Sequence, residues 1–128
     1  MHTNTKTIVE AHWNTANARD WATFGRFLDP ALQYEVPQTR EYIEGAEGYL
    51  DMFRTWPGDW KVQIKTLVCE RERAVSIIDF IVNDSVTTGI TVFAVSGGQI
   101  TSVSDYWPDF YEPPPRQSAH MKRRKREA

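Results

Sequence analysis

The chain has 128 residues, 41% of them hydrophobic, which suits one globular domain with a substantial core. Its formal charge of −2 is unevenly spread: residues 122–126 read KRRKR, while over residues 1–121 ten Lys/Arg face sixteen Asp/Glu, a net of −6. An acidic body argues against nucleic acid as a partner, one cysteine excludes an internal disulfide, and no stretch approaches membrane-spanning length.

The opening MHTNTKTIVEAHW lacks an apolar signal core, so the expectation is a soluble cytoplasmic protein with no membrane partner. Ile8, Val9, His12, Trp13 and Ala16 then recur at helical spacing and predict a first helix over 5–18. Asn17 to Arg19 interrupt it. Asp20 is a suitable N-cap for a short second helix with Trp21, Phe24, Phe27 and Leu28 inward, ended near Pro30. LQYEVP (32–37) alternates and reads as a strand, and EYIE (41–44) as its short partner. Ala46, Tyr49, Leu50, Phe53 and Trp56 form the apolar stripe of a third helix, stopped by Pro57-Gly58.

Residues 59–70, 73–84, 85–97 and 99–107 read as four strands, separated by ERER, Asn83-Asp84 and Gly97-Gly98. These connections are too short for parallel crossovers, which predicts an antiparallel sheet. The order of elements gives an α+β fold, with the helices packed on one face of a strongly curved sheet. Pro113 to Pro115 end regular structure. The expected organisation is a domain over 1–112 and a mobile tail over 113–128. The KRRKR run reads as a solvated end, with an electrostatic tether as the alternative.

Asp79 is the sharpest chemical signal. In VSIIDFIV (75–82) every neighbour except Ser76 is apolar, so both faces of that strand look buried. An ionised carboxylate there needs a partner or a cavity, and burial raises its pKa toward the range useful for proton transfer. The alternative is a structural Asp bonded to a neighbouring hydroxyl or backbone group. Asp105 shares one strand face with Thr101, Val103 and Trp107. The other face holds Ile100, Ser102, Ser104 and Tyr106, and hydrophobicity does not choose between them. On the first strand Gln33 and Glu35 share one face, and Leu32, Tyr34 and Val36 the other. His12 reads as a satisfied half-buried His, with a place at the pocket edge as the alternative. Three scattered His and one Cys give no metal-ligand spacing, and Gly97-Gly98 sits in a hairpin rather than a phosphate loop, so no metal or cofactor is expected. Cys69 has no evident base beside it, and Arg40 either guards a pocket mouth or is solvated.

GGQITSVSDYWPD (97–109) resembles the closing strand of the nuclear transport factor 2-like superfamily, in its Gly98, Gln99, Ile100, Asp105, Tyr106, Trp107 and Asp109. YEVPQTREYIEG with the helix and PGDW that follow resembles the SnoaL-like, polyketide cyclase-like subgroup. The resemblance covers residues 5–112. It implies a cone-shaped roll, the curved sheet wrapping about three N-terminal helices around an apolar pocket, with no cofactor. It also implies a homodimer through the outer sheet face, where Leu67, Phe80 and Phe93 would supply apolar surface. In limonene-epoxide-hydrolase-like members two Asp point into the pocket, at positions matched by Asp105 and Asp79. Their intervening Arg is replaced by Ile77. Their Tyr-x-Asn-x-Pro strand becomes Gln33, Glu35 and Pro37, so that relay is broken. In ketosteroid isomerase the base precedes a Pro on the first long strand, and a Tyr and a protonated Asp bond the oxyanion. Val36 precedes Pro37 here, with Glu35 one step back and therefore on the opposite face unless a bulge intervenes.

The resulting expectation is a small hydrophobic ligand held by Trp13, Gln33, Phe53, Trp56, Ile77 and Trp107, with Asp105, Asp79 and Glu35 as candidate catalytic carboxyls. Carboxyls sharing one dry cavity split their pKa values, which would suit isomerase, cyclase or aldol-type chemistry. The alternative is a binding or dimeric assembly module without catalysis.

Overall fold

The computed structural model describes residues 4–125; the last Arg of the basic run, at 126, lies outside them. Three helices, α1 (Thr5–Asn17), α2 (Trp21–Arg26) and α3 (Ala46–Thr55), are combined with six strands. These are β1 (Leu28–Val36), β2 (Glu41–Glu44), β3 (Trp60–Glu70), β4 (Arg73–Val82), β5 (Ser85–Ser96) and β6 (Gln99–Tyr106), in the sheet order β2-β1-β6-β5-β4-β3. The sheet is open, with β2 and β3 as its edges. α1 packs on β3 and β4 while α3 packs on β1 and β2, so the sheet curves around the helical layer.

Local chemistry sets the helix ends. The Asn4 side chain accepts from the Thr7 N–H at 2.8 Å and starts α1. Asp20 does the same for α2 through the Thr23 N–H. α1 stops where Arg19 takes φ 60, and its guanidinium then lies 3.7 Å over the Trp60 ring while donating to the Trp60 carbonyl at 2.6 Å. That clamp fixes the start of β3 against the end of α1. Trp56 ends α3 in extended geometry (ψ 130), as a residue before proline prefers. The expected stripe of α1 is buried: Ile8, Val9, His12, Trp13 and Ala16 meet Tyr49, Phe53, Trp60 and Phe93 in one core.

Two expectations need correction. α2 ends at Arg26, and Leu28 to Ala31, including Pro30, already belong to β1, which has a register irregularity between Leu28 and Gln33. The sheet is mostly rather than wholly antiparallel, because β1 pairs in parallel with β6 (Tyr34 beside Val103, Glu35 beside Ser104). Short turns report only on strands adjacent in sequence, and β1 and β6 lie at opposite ends of the fold's chain order.

Candidate functional site

The concave side of the sheet and the helices enclose a cavity of about 590 Å³. Its walls are aromatic and aliphatic: Trp13 from α1, Phe53 and Trp56 from α3 and its cap, Trp60 from β3, Ile78 and Phe80 from β4, and Trp107 just past β6. Arg40, Glu41 and Tyr42, all exposed, stand at the rim. Trp60 and Phe80 stack with ring centroids 5.8 Å apart, and Trp107 meets Phe80 edge-on at 5.8 Å. Trp107 reaches the wall because its backbone N–H donates to Gln38 Oε1 at 2.6 Å and its ring lies over Gly89.

Behind this wall lies the interior carboxyl. Strand alternation puts Val103 and Asp105 on the concave face, and Asp105 is only 5% exposed. Tyr34, which lines the cavity, donates its hydroxyl to Asp105 Oδ2 at 2.6 Å, and Thr91, the cross-strand partner of Asp105, donates to Oδ1 at 2.7 Å. Burial pushes the Asp105 carboxyl above the usual range, against the pull of the two hydrogen bonds. The Tyr34 phenol is driven well up by burial and then by the Asp105 charge beside it. A second buried pair adjoins: His12 Nε2 and the Tyr49 hydroxyl lie 2.7 Å apart, and the Tyr49 ring packs 5.2 Å from Tyr34. Trp13 Nε1 donates to Ser76 Oγ at 3.2 Å.

The expected residues therefore divide. Asp105, Trp13, Phe53, Trp56 and Trp107 belong to the concave side. Asp79, Ile77, Glu35 and Gln33 do not. On β4 the inward set is Ala74, Ser76, Ile78 and Phe80, which leaves Ile77 and Asp79 on the outer face. Asp79 is 24% exposed and sits 3.7 Å from Lys65 Nζ, so its partner is an outer-face cation and not a cavity. On β1 Leu32, Tyr34 and Val36 point inward. Glu35 is exposed, accepting from the Ser104 hydroxyl at 3.3 Å, and Gln33 bonds back to the Ala31 carbonyl. The expected three-carboxyl cavity is thus corrected to one interior carboxyl with Glu41 at the rim. Val36, before Pro37, occupies the inward position where the ketosteroid isomerase resemblance puts its base. Arg40 is at the mouth. Cys69 is half-buried, with burial pushing its thiol up. Among the described residues no group of three His, Cys, Asp or Glu is placed to hold a metal ion.

Sequence reasoning missed Tyr34, Thr91, Trp60 and the His12–Tyr49 pair. A signal for Tyr34 was present: Leu32, Tyr34 and Val36 form the apolar face of an alternating strand, and apolarity alone assigns that face to the core.

A curved sheet cupping a helical layer, with an aromatic cavity and a buried carboxyl on its closing strand, defines a class of small α+β pocket proteins. The family model of the SnoaL-like domain matches residues 9–103, and the chain belongs to that family. A Kribbella flavida protein provisionally named a ketosteroid isomerase is similar at 31% identity, over 96% of this chain and 91% of that one, with a TM-score of 0.88. A Mycobacterium tuberculosis epoxide hydrolase of the limonene type shares 22% identity over 79% of this chain and 80% of that one, at a TM-score of 0.67. A Shewanella putrefaciens protein provisionally named a SnoaL-like polyketide cyclase shares 12% over 80% and 79%, at 0.69. The last two show likeness of fold. No curated protein matches the chain. Among the described residues no helix is long and apolar enough to cross a membrane.

Proposed function

We propose that this protein binds a small, flat, hydrophobic molecule between the Trp13, Phe53, Trp60, Phe80 and Trp107 walls, with one polar atom of the ligand at Tyr34. The observation that carries this reading is the cavity itself. A space of about 590 Å³ lies within the range of small-molecule sites, and its rings bring apolar contact area at low entropic cost. Among the described residues the carboxyls at this site are Asp105, interior and acting through Tyr34, and Glu41 at the rim, since Glu35 and Asp79 stand outside. A ligand hydroxyl would pass its proton to the Tyr34 oxygen as the Tyr34 proton moves to Asp105. That step needs neither a second carboxylate nor a cofactor. The relative provisionally named a ketosteroid isomerase supports a ring-shaped ligand. Enolisation by a base before Pro37 is not part of the reading, because that base position holds Val36.

Four of the five tryptophans line the cavity, so its occupancy should quench intrinsic emission. Titration with N-phenyl-naphthylamine, a neutral hydrophobic probe, should show saturable one-to-one quenching. Val36→Phe, which fills the inner wall, should weaken it at least about tenfold while the protein keeps its thermal midpoint within a few degrees. A folded wild-type protein that shows no saturable binding, or a filled variant that binds as well, overturns the reading.

A further inference from the structure

The inner end of the cavity has a polarity set by its hydrogen bonds. Both Asp105 oxygens are engaged by hydroxyls, Oδ2 by Tyr34 at 2.6 Å and Oδ1 by Thr91 at 2.7 Å. An ionised carboxylate can only accept, so both hydroxyl hydrogens are committed to it. A phenol has one hydrogen. With that hydrogen turned toward Asp105, the Tyr34 oxygen keeps its lone pairs for a group that reaches it from the cavity Tyr34 lines. The neighbouring indole donor, Trp13 Nε1–H, is already directed at Ser76 Oγ. The exposed cation at the site, Arg40, stands at the rim.

We propose that the cavity selects molecules whose buried end carries a hydroxyl, a phenol or alcohol on a flat apolar skeleton, over molecules with a carbonyl or ether at that end. The ligand hydroxyl donates to the Tyr34 oxygen and extends the chain Thr91–Asp105–Tyr34 by one member. The opposite arrangement has a proton on Asp105. It would let the carboxyl donate to Tyr34, turn the phenol hydrogen into the cavity and favour a carbonyl. Burial of Asp105 favours that form, and the two hydroxyl bonds favour the ionised one. Geometry in which each oxygen has its own hydroxyl donor suits the ionised form, since a protonated carboxyl would leave one of these hydroxyls to find another acceptor in an apolar wall. This inference rests on the cavity being a ligand site.

The test compares three probes of one shape, β-naphthol, β-methoxynaphthalene and methyl β-naphthyl ketone, by calorimetry in mildly alkaline buffer. The naphthol should bind about tenfold more tightly than either of the others, the worth of one buried hydrogen bond. Tyr34→Phe should erase that preference, bringing the naphthol and the methoxy compound within about twofold of each other. Tighter binding of the ketone, equal binding of all three, or a naphthol preference that survives Tyr34→Phe overturns the inference with the ligand site intact. Binding of none of the three removes the site and the inference together. Should Tyr34→Phe fail to fold, the wild-type ranking of the three probes decides alone.

Discussion

His12 sits in a cage of rings. Its imidazole centroid lies 4.3 Å from Trp13, 5.0 Å from Phe24 and 5.1 Å from Phe93; among the described residues its polar partner is the Tyr49 hydroxyl, and Nδ1 is buried with none. Burial lowers its pKa from 6.5 to about 3. The linkage follows in sign. A histidine held neutral in the fold and free to charge when unfolded contributes stability that is whole above pH 6.5 and lost as pH falls toward 3. The loss is on the order of 4 kcal/mol by the low end of that window, at 1.36 kcal/mol per unit. Asp105 works the other way, since its raised carboxyl gains stability as it protonates. His12→Gln keeps a partner for Tyr49 and removes the titration. Urea midpoints measured across that window should fall more steeply for wild type than for His12→Gln, and parallel profiles would falsify this account. The stripe of α1 was legible as a helix with His12 on its inner side. Its depth was not, because full burial depends on Phe24, Tyr49 and Phe93, which come from three other elements.

Gly89 shows how one strand makes room for the site. A Cβ there would stand 2.8 Å from Trp107 Cζ3 and 3.2 Å from Ile78 Cγ1. Replacing a glycine by alanine commonly stabilises by about 0.4–1 kcal/mol where space allows, through the unfolded chain. At Gly89 the space is taken by an indole that also braces the cavity wall. Gly89→Ala should therefore cost about 1–3 kcal/mol and shift the Trp107 emission as the ring is displaced, read by thermal melts and fluorescence. A neutral or stabilised variant would mean that Trp107 is not seated on β5. Element positions were largely readable, because hairpin signals at Asn83-Asp84 and Gly97-Gly98 bracket β5. Facing was harder. Apart from Ser76 and Asp79 itself, VSIIDFIV is apolar and its alternation does not choose a face, so Asp79 could be assigned inward by resemblance alone; the register beside Thr88 on β5 and Gln63 on β3 turns it out. In β1 the alternation did carry parity, and the resemblance to a Tyr-x-Asn-x-Pro strand pointed the wrong way.

At the scale of the molecule, the outer face of the sheet is the largest feature that the monomer leaves unexplained. Leu67, Phe80 and Phe93, expected to furnish that face, instead belong to the concave side or its margins: Phe93 is fully buried, Phe80 lines the cavity, and Leu67 packs against the core. Other residues supply the apolar surface. Cross-strand register lines up Val68, Val75 and Val92 in one row, Ile77 beside Ile90 in a second, and Ile81 beside Val86 in a third, with Val68 and Val86 each 60% exposed. The first two rows are adjacent and the Gln63–Asp79–Thr88 row sets the third apart; exposed aliphatic surface of this kind is usually covered. The Lys65–Asp79 pair lies within the same face, so a covering surface must leave that pair solvated or bring a partner for it. We infer that a second copy in two-fold symmetry provides this cover, with the Val68–Val75–Val92 and Ile77–Ile90 rows packed on their equivalents and the Lys65–Asp79 pair at the margin of that patch. Sedimentation should give about twice the 14.8 kDa chain mass at micromolar concentration. Val75→Lys, at the centre of the first row, should shift the species to monomer, while probe binding in the concave cavity persists. A wild-type monomer, or a Val75→Lys protein that remains dimeric, places any contact elsewhere and leaves these rows unaccounted for.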